Sequence, residues 1–230
     1  LDCFGCDIDY SLGKNFADFA GQFSKDSRYR TELYKLRRKF MSHADGLIHA
    51  DLHTSNIMAS RDKMKVIDME FAFMGPFGYD LGYLVGNLIS QYCAACFKRF
   101  PSEQNRKQFK AYLLATIQSL IETYMKTFTL CWERSVKERY RGQQGLLQSI
   151  LQEVMVDMPG YASMVNWFRS VSEIPYPDFD VIENKDAKRN ATVLSLMIDW
   201  GIMFGRYKYQ SADDLIETII GIEEEFRKSL

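Results

Sequence analysis

The chain has 230 residues, of which 47% are hydrophobic and 26% charged, and its formal net charge is −1. This is ordinary globular composition, and the near-neutral charge gives no field that would attract nucleic acid or an anionic membrane. No apolar run approaches the ~20 residues that span a bilayer, and nothing resembles a signal peptide. Because five cysteines are an odd number, we expect a reduced, cytoplasmic protein.

The first fifteen residues contain a C-x-x-C pair, Cys3 and Cys6. Such a pair can bind zinc when a second pair completes the site. The only other close pair, Cys93 and Cys96, lies far downstream. We therefore favour reduced, packed cysteines over a four-cysteine zinc site.

Apolar residues recur at helical spacing from Arg28 to Met41 and predict a helix. Its basic residues fit a solvated face near the helix C-terminus better than a phosphate-binding patch. Asp45 and Gly46 would form the turn from this helix into the next element.

Two acidic clusters dominate the stretch that follows. The first cluster is HADLHTSN, residues 49–56, and it comes after the short apolar strand 47–48. The second is IDME, residues 67–70, and it begins at the last residue of the strand 64–67. A second strand, 57–59, is separated from the strand 64–67 by the four residues 60–63, which suits a hairpin turn. This hairpin would bring Asn56 beside Asp68, with Asp51 just upstream.

An Asp followed five residues later by an Asn, and then by an Asp at the end of a later strand, is the arrangement used for phosphoryl transfer in kinase-like folds. Asp51 would accept the proton of the attacking hydroxyl or orient it. Asn56, Asp68 and Glu70 would bind Mg²⁺, which prefers oxygen ligands. On an extended backbone Glu70 points the same way as Asp68, and two such carboxylates are costly unless a cation lies between them.

A rival interpretation rests on the alternation of His49, Asp51 and His53, since H-x-D-x-H can present three metal ligands on one strand face, as in some zinc hydrolases. Such sites need further ligands, and the remaining histidine is His43. We favour a structural His49 that supports the catalytic loop. His53 shapes the loop or approaches the substrate.

The strings HADLHTSN and VIDMEFAFMGPFGYDLGYLVGN resemble the methylthioribose kinase family, within the aminoglycoside-phosphotransferase and choline-kinase-like group. The resemblance implies a mainly α fold with a small β-hairpin, equivalent to a protein-kinase-like C-terminal lobe. We expect residues 1–230 to form this lobe, because nothing upstream of Leu47 resembles the glycine-rich loop or lysine of an N-terminal ATP-binding lobe.

The implied activity is transfer of the ATP γ-phosphate to the anomeric hydroxyl of 5-methylthioribose, a step in methionine salvage. It would use ATP and Mg²⁺, take a small-molecule substrate and involve neither nucleic acid nor membrane; the family also pairs as homodimers. Two alternatives stay open. One is a kinase of the same superfamily with an aminoglycoside, choline or another sugar as acceptor, and the other is a non-catalytic pseudokinase that acts as a binding module.

Asp80 precedes a clean apolar stripe from Leu81 to Cys96 and is well placed as the N-cap of a helix. In the kinase-like group the corresponding Asp braces the catalytic loop from behind, which makes Asp80 structural support. Gly82 and Gly86, four residues apart, indicate close packing against the catalytic loop or another helix.

The remaining chain predicts further amphipathic helices. We expect them at 102–132, at 146–158 with a stop at Pro159-Gly160, from Tyr161 onwards, at 185–206 and after a cap at Ser211, with an extended loop beginning at residues 175–178.

Arg169 lies just beyond the buried stripe of the helix that starts at Tyr161. Methylthioribose kinases carry two adjacent arginines there that contact the substrate, and the resemblance matches the second to Arg169, whereas Phe168 replaces the first. Losing one guanidinium removes charge-assisted hydrogen bonds to the substrate. Arg169 is therefore either a substrate clamp or an exposed surface residue.

Overall fold

The computed structural model describes residues 10–174 and 176–230, apart from the side chains of Tyr10, Asn15 and Ser24. It is mainly helical with two short antiparallel ribbons, which confirms the predicted fold class. In the described part of the chain the elements follow in the order α1 (Lys14–Lys25), α2 (Ser27–Ser42), β1 (Gly46–Ile48), β2 (Ile57–Ala59), β3 (Met64–Val66), β4 (Phe73–Gly75), α3 (Gly78–Phe97), α4 (Glu103–Ser135), α5 (Gln144–Val171), α6 (Pro177–Asp180), α7 (Lys185–Gly205) and α8 (Ala212–Ser229).

Helix α3 is the centre of the core, and its apolar stripe packs against α4, α5 and α7. A Cβ atom added at Gly82 would lie 2.6 Å from the Met158 carbonyl oxygen, and one at Gly86 would lie 2.6 Å from that of Ala162. The two glycines therefore let α3 and α5 cross at backbone contact. This confirms the predicted close packing and identifies the partner as a helix.

The predicted helix stop at Pro159-Gly160 is wrong, because α5 runs without interruption through both residues. Proline removes one i→i−4 hydrogen bond and costs about 3 kcal/mol in a helix interior. Here both residues are buried, and packing on all sides outweighs that loss. The Arg206 guanidinium also donates to the Val156 carbonyl at 3.1 Å, about one turn before the proline.

Two smaller predictions about helix ends are also wrong. Helix α3 begins at Gly78, so Asp80 lies inside its first turn and Phe77 is the N-cap. The expected extended loop at 175–178 instead gives way to the one-turn helix α6, because Pro177 occupies the first helical position, where its fixed φ and missing N–H are tolerated.

Other predicted boundaries are confirmed. Ser102 caps α4 by accepting a hydrogen bond from the Asn105 N–H at 3.1 Å, and Ser211 is the N-cap of α8.

Cys93 and Cys96 are buried, and burial raises the pKa of both thiols, that of Cys96 to about 12. The C-x-x-C pair at positions 3 and 6 lies outside the described residues. No helix in the described ranges is long and apolar enough to cross a membrane.

Candidate active site

Two short ribbons carry the predicted acidic clusters. Strand β1 pairs with β4, with Leu47 opposite Met74, and β2 pairs with β3, with Met58 opposite Lys65. The turn between β2 and β3 is closed by the Ser60 N–H, which donates to the Lys63 carbonyl at 2.8 Å. The four-residue hairpin predicted from the sequence is therefore confirmed.

The loop after β1 begins in a strained conformation. Ala50 has a φ of 67°, in the left-handed region that costs an L-residue about 1–2 kcal/mol. The Asp80 carboxylate on α3 holds this turn, since it accepts from the His49 N–H at 2.6 Å and from the Ala50 N–H at 3.0 Å. Burial raises the pKa of Asp80, although these two donors act in the opposite direction. The next residue is Asp51, so the strain lies directly beside the candidate catalytic group.

His49 links the two acidic segments. Its Nδ1 accepts from the Asp51 N–H at 3.3 Å, and its Nε2 lies 2.8 Å from the Ile67 carbonyl oxygen. A carbonyl can only accept, so Nε2 carries the proton and the ring is the neutral tautomer. Both nitrogens are therefore engaged by the backbone, and His49 has no lone pair left for a metal.

The Asn56 side chain ties the same segments together. Its Nδ2 donates to the Asp51 carbonyl at 3.0 Å, and the Asn56 carbonyl accepts from the Ile67 N–H at 3.0 Å. Asp68 follows immediately with a φ of 66°. These hydrogen bonds join Asn56, the Asp51 loop and the backbone before Asp68 into one unit. The side-chain oxygen of Asn56 is the amide atom left for a cation.

The two carboxylates expected to point together do not lie on one extended strand. Strand β3 ends at Val66, Asp68 is left-handed, and the Ala72 N–H donates back to the Met69 carbonyl at 3.1 Å in a turn. The argument from strand alternation for Glu70 is therefore wrong. Among residues 10–174 and 176–230, no three His, Cys, Asp or Glu side chains are grouped closely enough to hold a metal ion.

The donors that remain nevertheless suit Mg²⁺. Asp68 and Glu70 are exposed, and Asn56 adds a neutral oxygen. Magnesium in phosphoryl-transfer sites keeps several waters and is bound by one or two carboxylates together with the phosphates of the substrate. A complete cage of protein ligands is therefore not required here.

The Asp51 carboxylate has two described neighbours. Its Oδ1 accepts from the Tyr83 hydroxyl at 3.0 Å, and its Oδ2 lies 3.5 Å from Nε2 of His53. Asp51 and His53 are each partly exposed, so a small molecule can reach them. His53 thus lies beside Oδ2 of Asp51.

Arg169 is neither exposed nor free. Its Nε and Nη2 donate to the same oxygen of Asp178 at 2.8 and 2.5 Å, and its guanidinium lies 4.5 Å from the Tyr176 ring centroid. The other Asp178 oxygen accepts from Gln91 at 2.9 Å. Phe168, which stands in the place of the first expected arginine, packs edge-on against Tyr176 at 5.8 Å. The interpretation of Arg169 as an exposed surface residue is wrong, and its charge is already paired.

Sequence reasoning missed two residues of this neighbourhood, Tyr83 and Asp178. Tyr83 follows Asp80 by three residues, a spacing that places both on one helix face, and that spacing could have pointed to it. Asp178 follows a proline at a helix start, and nothing in its local sequence indicates the arginine that it binds.

Comparisons with known proteins show what this chain is similar to. Residues 15–120 match the model of the phosphotransferase enzyme family. The chain is 32% identical over 198 residues to the methylthioribose kinase of Geobacillus thermodenitrificans, which is 86% of this chain and 48% of that protein. It is 33% identical over 190 residues to the methylthioribose kinase of Geobacillus kaustophilus, in an alignment that covers 83% of this chain and 46% of that protein. It is 30% identical over 209 residues to methylthioribose kinase 2 of Oryza sativa subsp. japonica, in an alignment that covers 86% of this chain and 48% of that protein.

The chain spans about half the length of these relatives. The similarity covers most of the present chain, including both acidic segments and the helices that support them. The resemblance drawn from the motifs is thereby confirmed: this chain is related to the phosphotransferase enzyme family and, over most of its length, to the methylthioribose kinases.

Proposed function

We propose that the protein is a small-molecule kinase that transfers the γ-phosphate of ATP to the anomeric hydroxyl of 5-methylthioribose, a step of methionine salvage. The observation that carries this proposal is the hydrogen-bonded unit of Asp51, Asn56 and the backbone before Asp68, tied together through His49. A hydroxyl-activating carboxylate beside hard oxygen donors is the arrangement that phosphoryl transfer needs.

In this proposal Asp51 orients the acceptor hydroxyl and takes its proton as the oxygen attacks phosphorus, while the bond from phosphorus to the ADP oxygen breaks. Asn56, Asp68 and Glu70 would hold Mg²⁺, which neutralises phosphate charge when bound. Asp80 and His49 fix the loop backbone, so that the carboxylate is positioned before the substrate arrives.

The ribbons and the turn after β3 expose several large apolar side chains. Leu47 and Met64 are 67% and 69% exposed, and large exposed apolar surface marks an interaction site. The others are Met58, Met69, Phe71 and Met74. We propose that a nucleotide-binding lobe of the intact protein covers these side chains and that residues 1–230 form the catalytic lobe. The relatives, which are about twice as long as the aligned part, support this assignment.

The surroundings of Arg169 bear on the choice of acceptor. The Arg169 charge is paired with Asp178, and Phe168 and Tyr176 add aromatic surface beside it. An uncharged acceptor with an apolar substituent suits this environment better than an anionic one. Methylthioribose has that character, and another uncharged sugar is the second candidate.

The test is an acceptor panel with the intact protein, ATP and Mg²⁺, in which the phosphorylated product is identified by mass. We expect methylthioribose to be phosphorylated at its anomeric oxygen with a higher kcat/KM than ribose, choline or an aminoglycoside. Turnover of another acceptor in place of methylthioribose would contradict the substrate assignment. Binding of ATP without turnover of any acceptor would instead favour a pseudokinase.

A further inference from the structure

One turn of α3 presents two side chains to the loop that carries Asp51. Asp80 and Tyr83 are three residues apart, so they lie on the same face of the helix. The Asp80 carboxylate accepts from two backbone N–H groups of the loop, whereas the Tyr83 hydroxyl donates to the Asp51 side chain at 3.0 Å. The helix therefore engages both the backbone and the reacting group of the loop.

The Tyr83 ring is firmly placed. It packs edge-on against Tyr79 at 6.0 Å, and Tyr79 in turn packs against Tyr161 of α5 at 5.1 Å. Burial raises the pKa of Tyr83, and the nearby Asp51 charge raises it further, so the hydroxyl stays protonated and acts only as a donor toward that carboxylate. A rigid donor of this kind restricts rotation of the Asp51 carboxylate.

The contact distinguishes the two oxygens of Asp51. Oδ1 is occupied by the Tyr83 hydroxyl, and Oδ2 lies on the side of His53 at 3.5 Å. We propose that Tyr83 is a positioning residue that engages Oδ1 and thereby assigns Oδ2 to the acceptor hydroxyl. This inference rests on the proposed function: the acceptor O–H bond breaks, its proton passes to Oδ2, and the acceptor oxygen forms the new bond to phosphorus as ADP leaves.

The experiment compares Tyr83→Phe with Tyr92→Phe in the intact protein. Both tyrosines belong to α3, and each hydroxyl donates to a carboxylate, that of Tyr92 to Glu223. Each variant removes one oxygen atom and keeps the ring. Steady-state kinetics with Mg-ATP and the acceptor, and thermal unfolding of each variant, are measured side by side.

We expect Tyr83→Phe to lower kcat about tenfold to a hundredfold, the effect of losing one hydrogen bond to a charged group at the reacting centre. The KM for ATP and the midpoint of thermal unfolding should stay close to those of the unaltered protein. Tyr92→Phe should leave kcat unchanged, because its hydroxyl serves the packing of α3 against α8.

An unchanged kcat in Tyr83→Phe would overturn the role of Tyr83, and so would an equal loss in both variants or a loss confined to the KM for ATP. Failure of the unaltered protein to phosphorylate any acceptor is a different result, since it would overturn the proposed function itself.

Discussion

Substituting Asp80 by Asn distinguishes a clamp on the loop that carries Asp51 from an acidic residue that only favours the N-terminus of α3. Asp80 accepts from the His49 N–H at 2.6 Å with one oxygen and from the Ala50 N–H at 3.0 Å with the other. Asn has a single acceptor oxygen, so one of these N–H groups would face an NH₂ donor. The loop would lose a charge-assisted hydrogen bond at the point where Ala50 is left-handed.

The lost hydrogen bond is worth about 1.5–3 kcal/mol. Burial raises the pKa of Asp80, so removing its charge recovers part of this loss, and we expect a net loss of about 2 kcal/mol. For a chain of this size that corresponds to a fall of about 4–8 °C in Tm. If Asp80 only placed a negative charge in the first turn of α3, Asn would cost about 0.3–1 kcal/mol, the usual value of such a charge near a helix N-terminus.

Urea and thermal unfolding of Asp80→Asn provide the measurement, with Asp26→Asn as the matched control. Asp26 is an observed N-cap whose side chain accepts from the Arg28 and Tyr29 N–H groups, and its substitution should change Tm little. Equal, small changes in the two variants would refute the clamp. A fall in kcat of Asp80→Asn at temperatures where it remains folded would further link the clamp to Asp51.

Two predictions concern the helical core. Burial alone would raise the pKa of Glu223, but hydrogen bonds from Lys110 and its other partners lower it to about 2, well below its ordinary value. This shift stabilises the fold by about 3 kcal/mol near neutral pH, and the contribution is lost as the pH falls through 2. Urea unfolding should therefore show Glu223→Gln to be less stable than the unaltered protein at pH 6, with the difference falling below about 1 kcal/mol at pH 2.5, and a constant difference would contradict this. Gly82→Ala should lower the free energy of unfolding by about 1–3 kcal/mol, because its Cβ would lie 2.6 Å from the Met158 carbonyl oxygen. Gly221→Ala, in α8 with nothing within 4 Å of the new Cβ, should gain about 0.5–1 kcal/mol, and a stabilised Gly82→Ala would show that α3 and α5 do not cross so closely.

The sequence predicted those features that depend on local patterns. The hairpin followed from turn residues between two short apolar runs, and the α3 stripe followed from helical spacing. The link between Asn56 and the segment of Asp68 was also accessible, because a four-residue turn fixes which residues lie opposite each other. These features need no knowledge of distant contacts.

The features that sequence reasoning missed depend on tertiary packing. Pro159 is a helix breaker by its local chemistry, and only the burial of α5 explains why the helix continues. Asp68 has a left-handed φ directly after Ile67, whose backbone contacts His49 and Asn56, so strand alternation could not place Glu70. The pairing of Arg169 with Asp178 joins α5 to a helix that the local sequence did not indicate.

The most direct test of the central claim is Mg²⁺-dependent ADP release by the intact protein with methylthioribose, compared between Asp51→Asn and Asp62→Asn. Asp62 lies exposed in the turn between β2 and β3 and serves as the matched control. General-base groups contribute about 10²–10⁴-fold, so we predict a loss of that size in kcat for Asp51→Asn and an unchanged kcat for Asp62→Asn. Full activity of Asp51→Asn would contradict the account.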